Sequence, residues 1–192
     1  QRYTSLLVPP EMMGEHVGDS PAHSTHRATS QEMRMAMAFF GHMGVEWNLL
    51  KQPQEDIDKL HEWVSEFKKH REWFAVDTVV HSDAADPAVR VDGCVMPNKD
   101  AAIYRFTQLT TSQTYPAAPV RLPGLDPDAV YEVSPLEVSL DLAKQDIGNG
   151  QSPLGWWTAE GVRMTGRALA SYGIRPPALH PAQAVLFKVV RV

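Results

Sequence analysis

Cysteine is nearly absent: Cys94 stands alone among 192 residues, so no disulfide can close within the chain. A lone thiol favours a reducing compartment, and a cytoplasmic location is expected. A basic excess is missing as well. The net charge of -5 at pH 7 is opposite in sign to the face that a general nucleic-acid binder presents, so no nucleic-acid partner is expected. No apolar run approaches the ~20 residues that span a bilayer, so no membrane partner is expected. The apolar stretch Leu6-Leu7-Val8 is too short for a secretion signal, and no small-residue cleavage site follows it. There is no initiator methionine, which predicts a chain that was cut or begins mid-protein. Internal repeats and low-complexity tracts are also lacking.

What is present is ordinary globular material. Apolar residues make up 43% and charged residues 21%, enough for a real core. Five Trp and fifteen Pro argue against disorder. The pattern changes near residue 76. Before it, helical periodicity alternates with short apolar runs; after it come Val-rich alternating runs and turns.

Residues 3–8 read as a short buried strand stopped by Pro9-Pro10, and residues 11–28 as a loop. Thr29, with Glu32 three residues later, has the spacing of a capping box. Met33, Ala36, Met37 and Phe40 then recur at helical spacing, and Gly41 and Gly44 supply the stop. Residues 45–49 form a second strand candidate. A second helix follows, with Pro53 in its first turn and Glu55 and Asp56 at its positive end. Ile57, Leu60, Val64 and Phe67 form its apolar stripe, and residues 68–71 are a basic, solvated end. That stripe is expected to pack on the β domain or at the boundary with it.

Two βα units in series imply parallel strands of a larger sheet or barrel. A (β/α)₈ barrel needs roughly 250 residues, so residues 1–75 read as part of something longer. Residues 76–192 read as antiparallel. Val89, Val91 and Val95 alternate with Arg90, Asp92 and Cys94, and residues 101–109, 130–133, 136–140 and 184–192 are further strand candidates. Residues 122–128 are a turn cluster. Residues 164–172 fit either a helical turn or an edge strand. Short strands with turns between them suggest an antiparallel sandwich.

The strings Tyr3-Thr4-Ser5-Leu6-Leu7-Val8-Pro9-Pro10, Met13-Gly14-Glu15-His16-Val17, Pro21-Ala22-His23 with Arg27, and Phe40-Gly41-His42-Met43-Gly44-Val45-Glu46-Trp47-Asn48-Leu49 resemble glycoside hydrolase family 36 α-galactosidases (melibiases). Residues 161–174, Leu179-His180-Pro181 and the closing Val-rich strand resemble the C-terminal β domain of that family. The resemblance implies the fold class: α/β plus all-β, the last βα units of a (β/α)₈ TIM barrel followed by a C-terminal antiparallel β-sandwich. It implies a retaining enzyme acting on terminal α-galactosyl groups of oligosaccharides through an Asp nucleophile and an Asp acid/base. The nucleophile's Lys-x-Asp motif and the acid/base segment have no counterpart here, so the isolated chain is expected to be inactive. A homo-oligomer is also implied, and no cofactor.

Several residues carry competing readings. His16, His23 and His26 invite a zinc reading, but their spacing matches no strong zinc motif and no carboxylate or thiolate partners accompany them. Solvent-facing loop histidines are the plain alternative. The resemblance adds a third, in which His16 and Gly14 line the sugar-site rim at the C-terminal face of the barrel. Trp47 reads as core before sugar platform. Glu46 and Asn48 must point away from it, and which set reaches the barrel interior stays open. Met33, Met35, Met37 and Met43 are packing residues. Trp156 and Trp157 read as packing before carbohydrate platform, although the pair keeps a non-catalytic carbohydrate-binding sandwich as the alternative function. Cys94 reads as buried and inert.

Overall fold

The computed structural model describes residues 3–84, 86–114, 117–143 and 154–192. The first half is built on two parallel strands, β1 (Gly14–Gly18) and β2 (His42–Glu46), paired in the register His16↔Gly44. Helix α1 (Gln31–Ala38) joins them, and α2 (Gln54–Phe74) follows. The expected βα-βα order is therefore present, with both strands displaced.

Residues 3–8 are not a strand. Thr4–Leu6 is a 3₁₀ turn whose Thr4 carbonyl accepts from Leu7 and Val8, and Leu7 is 87% exposed. The strand lies ten residues on, inside the segment read as a loop. Its buried positions are Glu15 and Val17. A carboxylate at one of the two inward positions, and a glycine at each end, hid the alternation that marks a strand. β2 likewise begins three residues earlier than expected, and Leu49–Lys51 is a 3₁₀ turn. Gly44 lies within the strand and does not end α1.

The cap of α1 is Ser30, one residue beyond Thr29. Its hydroxyl accepts from the Met33 N–H at 3.1 Å. Thr29 is otherwise engaged: its N–H and C=O both bond the Ser20 hydroxyl, at 3.2 and 3.1 Å. Without that cap one N–H of the first turn loses its partner, so Ser30→Ala should cost about 1 kcal/mol. A urea midpoint identical to the wild type would contradict this.

Helix α1 is buried on several sides, with Met35 and Ala36 fully enclosed, which is why its apolar residues exceed a single stripe. Phe39, just after it, meets Trp63, Phe67 and Phe74 of α2 edge-on at 6.2, 5.9 and 5.7 Å. The buried stripe of α2 runs through Leu60, Trp63 and Phe74, while Val64 and Phe67 are partly covered. Trp63 is the residue the sequence pattern missed. Pro53 is the N-cap of α2 and lies just outside the first turn.

The second half is a six-stranded antiparallel sheet: β3 (Thr78–Ser82), β4 (Val89–Val95), β5 (Ala101–Gln108), β6 (Val130–Pro135), β7 (Val162–Thr165) and β8 (Gln183–Arg191), in the order β3-β4-β5-β8-β6-β7. Both faces are covered, and strand periodicity sorts them. Ala102, Tyr104 and Phe106 on β5, with Val185, Phe187 and Val189 on β8, face a layer that contributes Leu122, Leu125, Trp156, Trp157, Leu169 and Ile174. That layer contains the antiparallel Val120↔Ile174 bridge. Ile103 and Leu186 face the other way, into one cluster with α1, Leu60 and Trp63. The second helix thus lies at the boundary with the β half through Leu60, Val64 and Phe67 of the expected stripe, while Ile57 is not part of that cluster.

Residues 136–140 are not a strand. Pro135 ends the ladder of β6, and α3 (Glu137–Leu140) follows. The segment still serves the sheet, because Leu136 N–H donates to the Leu186 carbonyl and Leu186 N–H donates to the Ser139 hydroxyl. Residues 164–172 resolve into both readings in succession: β7 ends at Thr165, whose hydroxyl caps α4 (Gly166–Ser171) by accepting from Ala168 N–H at 3.2 Å.

Candidate active site

Glu15 and Val17 are the buried residues of β1, and Val17 packs with α1. Gly14 and His16 therefore lie on the opposite face. In a closed parallel barrel, the face turned away from the helices is the interior, and catalysis sits at the C-terminal ends of the strands. Both sequence candidates lie on the strand itself and not on a loop beyond it, Gly14 at its N-terminal end and His16 at its middle.

His16 does not stand alone. Its Nδ1 lies 3.3 Å from Oε2 of Glu46 on β2. A Cβ added to Gly44 would stand 2.8 Å from His16 Cδ2, so a side chain there would collide with the ring. Gly44 thus leaves the space in which the imidazole lies. Glu46 faces the same side as His16, which answers the question that the sequence left open for Glu46. Trp47 packs partly buried against the helix cluster, with the Arg34 guanidinium 4.8 Å from its ring centre. The core reading of Trp47 holds.

The reverse side of β1 is charged and buried. Glu15, 5% exposed, lies under Gly41, where an added Cβ would come within 2.7 Å of Glu15 Cγ and of the Met13 carbonyl. Arg105 of β5 reaches the same place. It donates from Nε and Nη2 to the two Asp92 oxygens at 3.1 and 2.5 Å, and from Nη1 to the Ala36 and Met37 carbonyls at 2.9 and 2.8 Å. Its guanidinium carbon sits 4.9 Å from the Phe40 ring centre. A cavity of about 20 Å³ lies between these groups, lined in part by Ser5, Met13, Glu15, Asp92 and Arg105. Burial pushes the Glu15 carboxyl up to about 7, against the pull of Arg105. No sequence pattern announced this cluster: Asp92 read as one of the positions alternating with valines, and Arg105 lay unmarked inside the strand candidate 101–109.

Other candidates fall outside the face. Among the described residues no three of His, Cys, Asp and Glu come together as a metal site. Trp156 and Trp157 are buried, and their indole N–H groups donate to the Arg175 and Leu140 carbonyls, so the pair offers no open platform for a sugar. Cys94 is buried, and burial, with Asp77 nearby, raises its thiol pKa. It is inert as a nucleophile. Among the described residues no helix is long and apolar enough to cross a membrane.

A parallel βα pair with one face free of helices, joined to an antiparallel β domain, is the pattern of a barrel end followed by a β domain. Residues 1–77 match the Melibiase family, and residues 90–189 match the glycosyl hydrolase family 36 C-terminal domain. The chain belongs to glycosyl hydrolase family 36. It is 28% identical over its whole length to an α-galactosidase of Escherichia coli, spanning 27% of that protein. It is 32% identical over 67% of its length to α-galactosidase Mel36A of Lactobacillus acidophilus, spanning 18% of it. The galactosidase domain of the α-galactosidase–sucrose kinase AgaSK superposes with a TM-score of 0.79 at 26% identity, covering 98% of this chain and 23% of that one. The fold is thus the last βα units of a (β/α)₈ barrel followed by an antiparallel β-sandwich domain, and the chain spans about a quarter of its relatives' length.

Proposed function

We infer that the chain is the C-terminal part of a retaining α-galactosidase, a glycoside hydrolase removing terminal α-galactosyl residues from oligosaccharides. Residues 1–75 serve as the end of the catalytic barrel, and residues 76–192 hold that end in place. What supports this reading is that Gly14, His16 and Glu46 share the face of β1 and β2 turned away from the helices, the face that a closed barrel turns inward. Retention requires two carboxyl groups about 5–5.5 Å apart, one attacking and one protonating the leaving oxygen. Neither belongs to this chain in this reading; the preceding barrel strands bring both. His16 and Gly14 form part of the sugar-site rim. An assembly of identical subunits in the reducing cytoplasm completes the proposal.

The test is a chimera in which this chain replaces the matching segment of the Escherichia coli relative. We expect it to hydrolyse p-nitrophenyl α-galactoside, while the 192-residue chain alone does not. His16→Ala in the chimera should lower kcat/KM by about 10- to 100-fold, as loss of one positioned polar contact at the reacting sugar does. A chimera that folds but turns over nothing, or turnover by the isolated chain, would refute the reading.

A further inference from the structure

We propose that the cavity of about 20 Å³ behind β1 is a site for a single structural water, held by Glu15, Arg105 and Ser5 and shared between the barrel end and the β half. The site depends on the fold alone, whatever the barrel turns over. Glu15 is 5% exposed, and its Oε2 is buried without a protein partner. Arg105 lines the same cavity but cannot swing across to Glu15. Asp92 holds its Nε–H and one Nη2 hydrogen, and the Ala36 and Met37 carbonyls hold Nη1. The second Nη2 hydrogen has no acceptor among the described residues. An acceptor without a donor and a donor without an acceptor thus belong to two side chains that border one space.

Ser5 supplies a third polar group at the cavity. Its hydroxyl meets Nε2 of His81 at 3.1 Å. A hydroxyl has one hydrogen and two lone pairs, so it keeps capacity for a further bond. A cavity takes a water when about 10–15 Å³ is open to a water-sized sphere and two to four polar groups surround it. Both conditions are met, and the volume admits one water but not two. Gly41 makes room for the carboxyl, since an added Cβ would stand 2.7 Å from Glu15 Cγ. Chemistry selects water over an ion. Burial pushes the Glu15 carboxyl up to about 7, so near neutral pH the site meets both the acid and the carboxylate. A cation suits only the carboxylate, and Arg105 opposes it. An anion suits only the acid, and Asp92 opposes it. Water accepts from Arg105 in either state, donates to the carboxylate and accepts from the acid. One water is less than the shell of an exposed carboxylate, so Glu15 stays above its usual range.

The test is a crystal structure of the chain as wild type and as Glu15→Leu, with ¹⁷O relaxation dispersion of both in solution. Leucine keeps much of the volume and offers no acceptor. The wild type should show one solvent peak in the cavity, within about 3.2 Å of polar atoms of Glu15, Arg105 and Ser5. Glu15→Leu should lose that peak, and the dispersion should fall by one long-lived water. Ser5→Val, which places a methyl group in the cavity, is the second variant and should lose the same peak should Glu15→Leu not fold. A wild-type cavity without solvent, with Glu15 bonded directly to Arg105 or to nothing, overturns the proposal. So does a peak that persists in the variants, or one ringed by six or more oxygens as a bound cation is.

Discussion

Replacing Arg105 with methionine should lower the unfolding free energy by about 3–5 kcal/mol, the range for removing one member of a buried ion pair. Arg105 is 5% exposed and uses four of its five N–H groups, two on Asp92 and two on the carbonyls of Ala36 and Met37. Those carbonyls lie in the last turn of α1, where helix acceptors run short of donors; the Ala36 carbonyl also accepts a long bond from the Phe39 N–H, at 3.5 Å. Methionine keeps much of the volume and all of the apolar stem. The expected loss therefore reports charge and hydrogen bonding, not a cavity. Asp92 would be left as a poorly solvated carboxylate, with its side chain only 16% exposed.

The double variant Arg105→Met with Asp92→Leu separates the two parts. Removing both charges together often restores most of what breaking a pair costs. Here recovery should be partial, because the Met37 carbonyl loses its Arg105 donor and Ala36 keeps only the long bond from Phe39. Urea unfolding of the two single variants and the double variant gives the coupling directly. If Arg105→Met changed stability by less than about 1 kcal/mol, the typical value of an exposed pair, the clamp would be a surface contact in effect. The same bonds connect the barrel end to the β half, since Arg105 sits on β5 and its acceptors on α1. The variant should accordingly loosen α1 and β1 first, seen as faster amide exchange there than in β4, β5 and β8.

How much of this was readable beforehand follows from where each signal comes from. Helix α2 was readable because its ends, its stripe and its charge distribution all agree. β5 and β8 were readable because long runs of branched and aromatic residues have few other uses. β1 was not, since one of its two inward residues is Glu15, and a period-2 pattern with a carboxylate inside looks like a loop. Residues 136–140 failed for the opposite reason: apolar and β-prone, they are turned into α3 by Pro135 and by bonds to β8 that only the fold supplies. Ser30 and Thr29 are chemically equivalent caps, and the distant Ser20 decides between them. At the candidate site, Gly14 and His16 were proposed from a resemblance, whereas the Glu46 contact depends on parallel register, which no local pattern encodes. The Arg105 cluster joins residues 36, 92 and 105 and lies beyond any local window.

Glu15→Gln should stabilise the chain at pH 8 by about 1–3 kcal/mol and leave it nearly unchanged at pH 5, on a scale of 1.36 kcal/mol per pKa unit. The sign follows from linkage. Burial raises the Glu15 carboxyl from 4.5 to about 7 in the folded chain. Between those two values the folded chain holds a proton that the unfolded chain has lost, so stability falls as pH rises through this window. Below 4.5 the penalty is absent, and above 7 it is complete. One carboxylate oxygen of Glu15 has no protein partner, which leaves its charge poorly compensated when it ionises. Arg105 pulls the value down, but it is already engaged by Asp92, whose own charge pushes the other way. The neutral amide is indifferent to pH and should remove this part of the slope. Asp77, raised by burial to about 7 in the same direction, should leave a residual slope that Asp77→Asn removes in turn. Urea titrations of wild type and Glu15→Gln at pH 5 and pH 8 decide the matter: a variant no more stable than the wild type at pH 8 would mean that Glu15 is compensated by partners stronger than the fold provides.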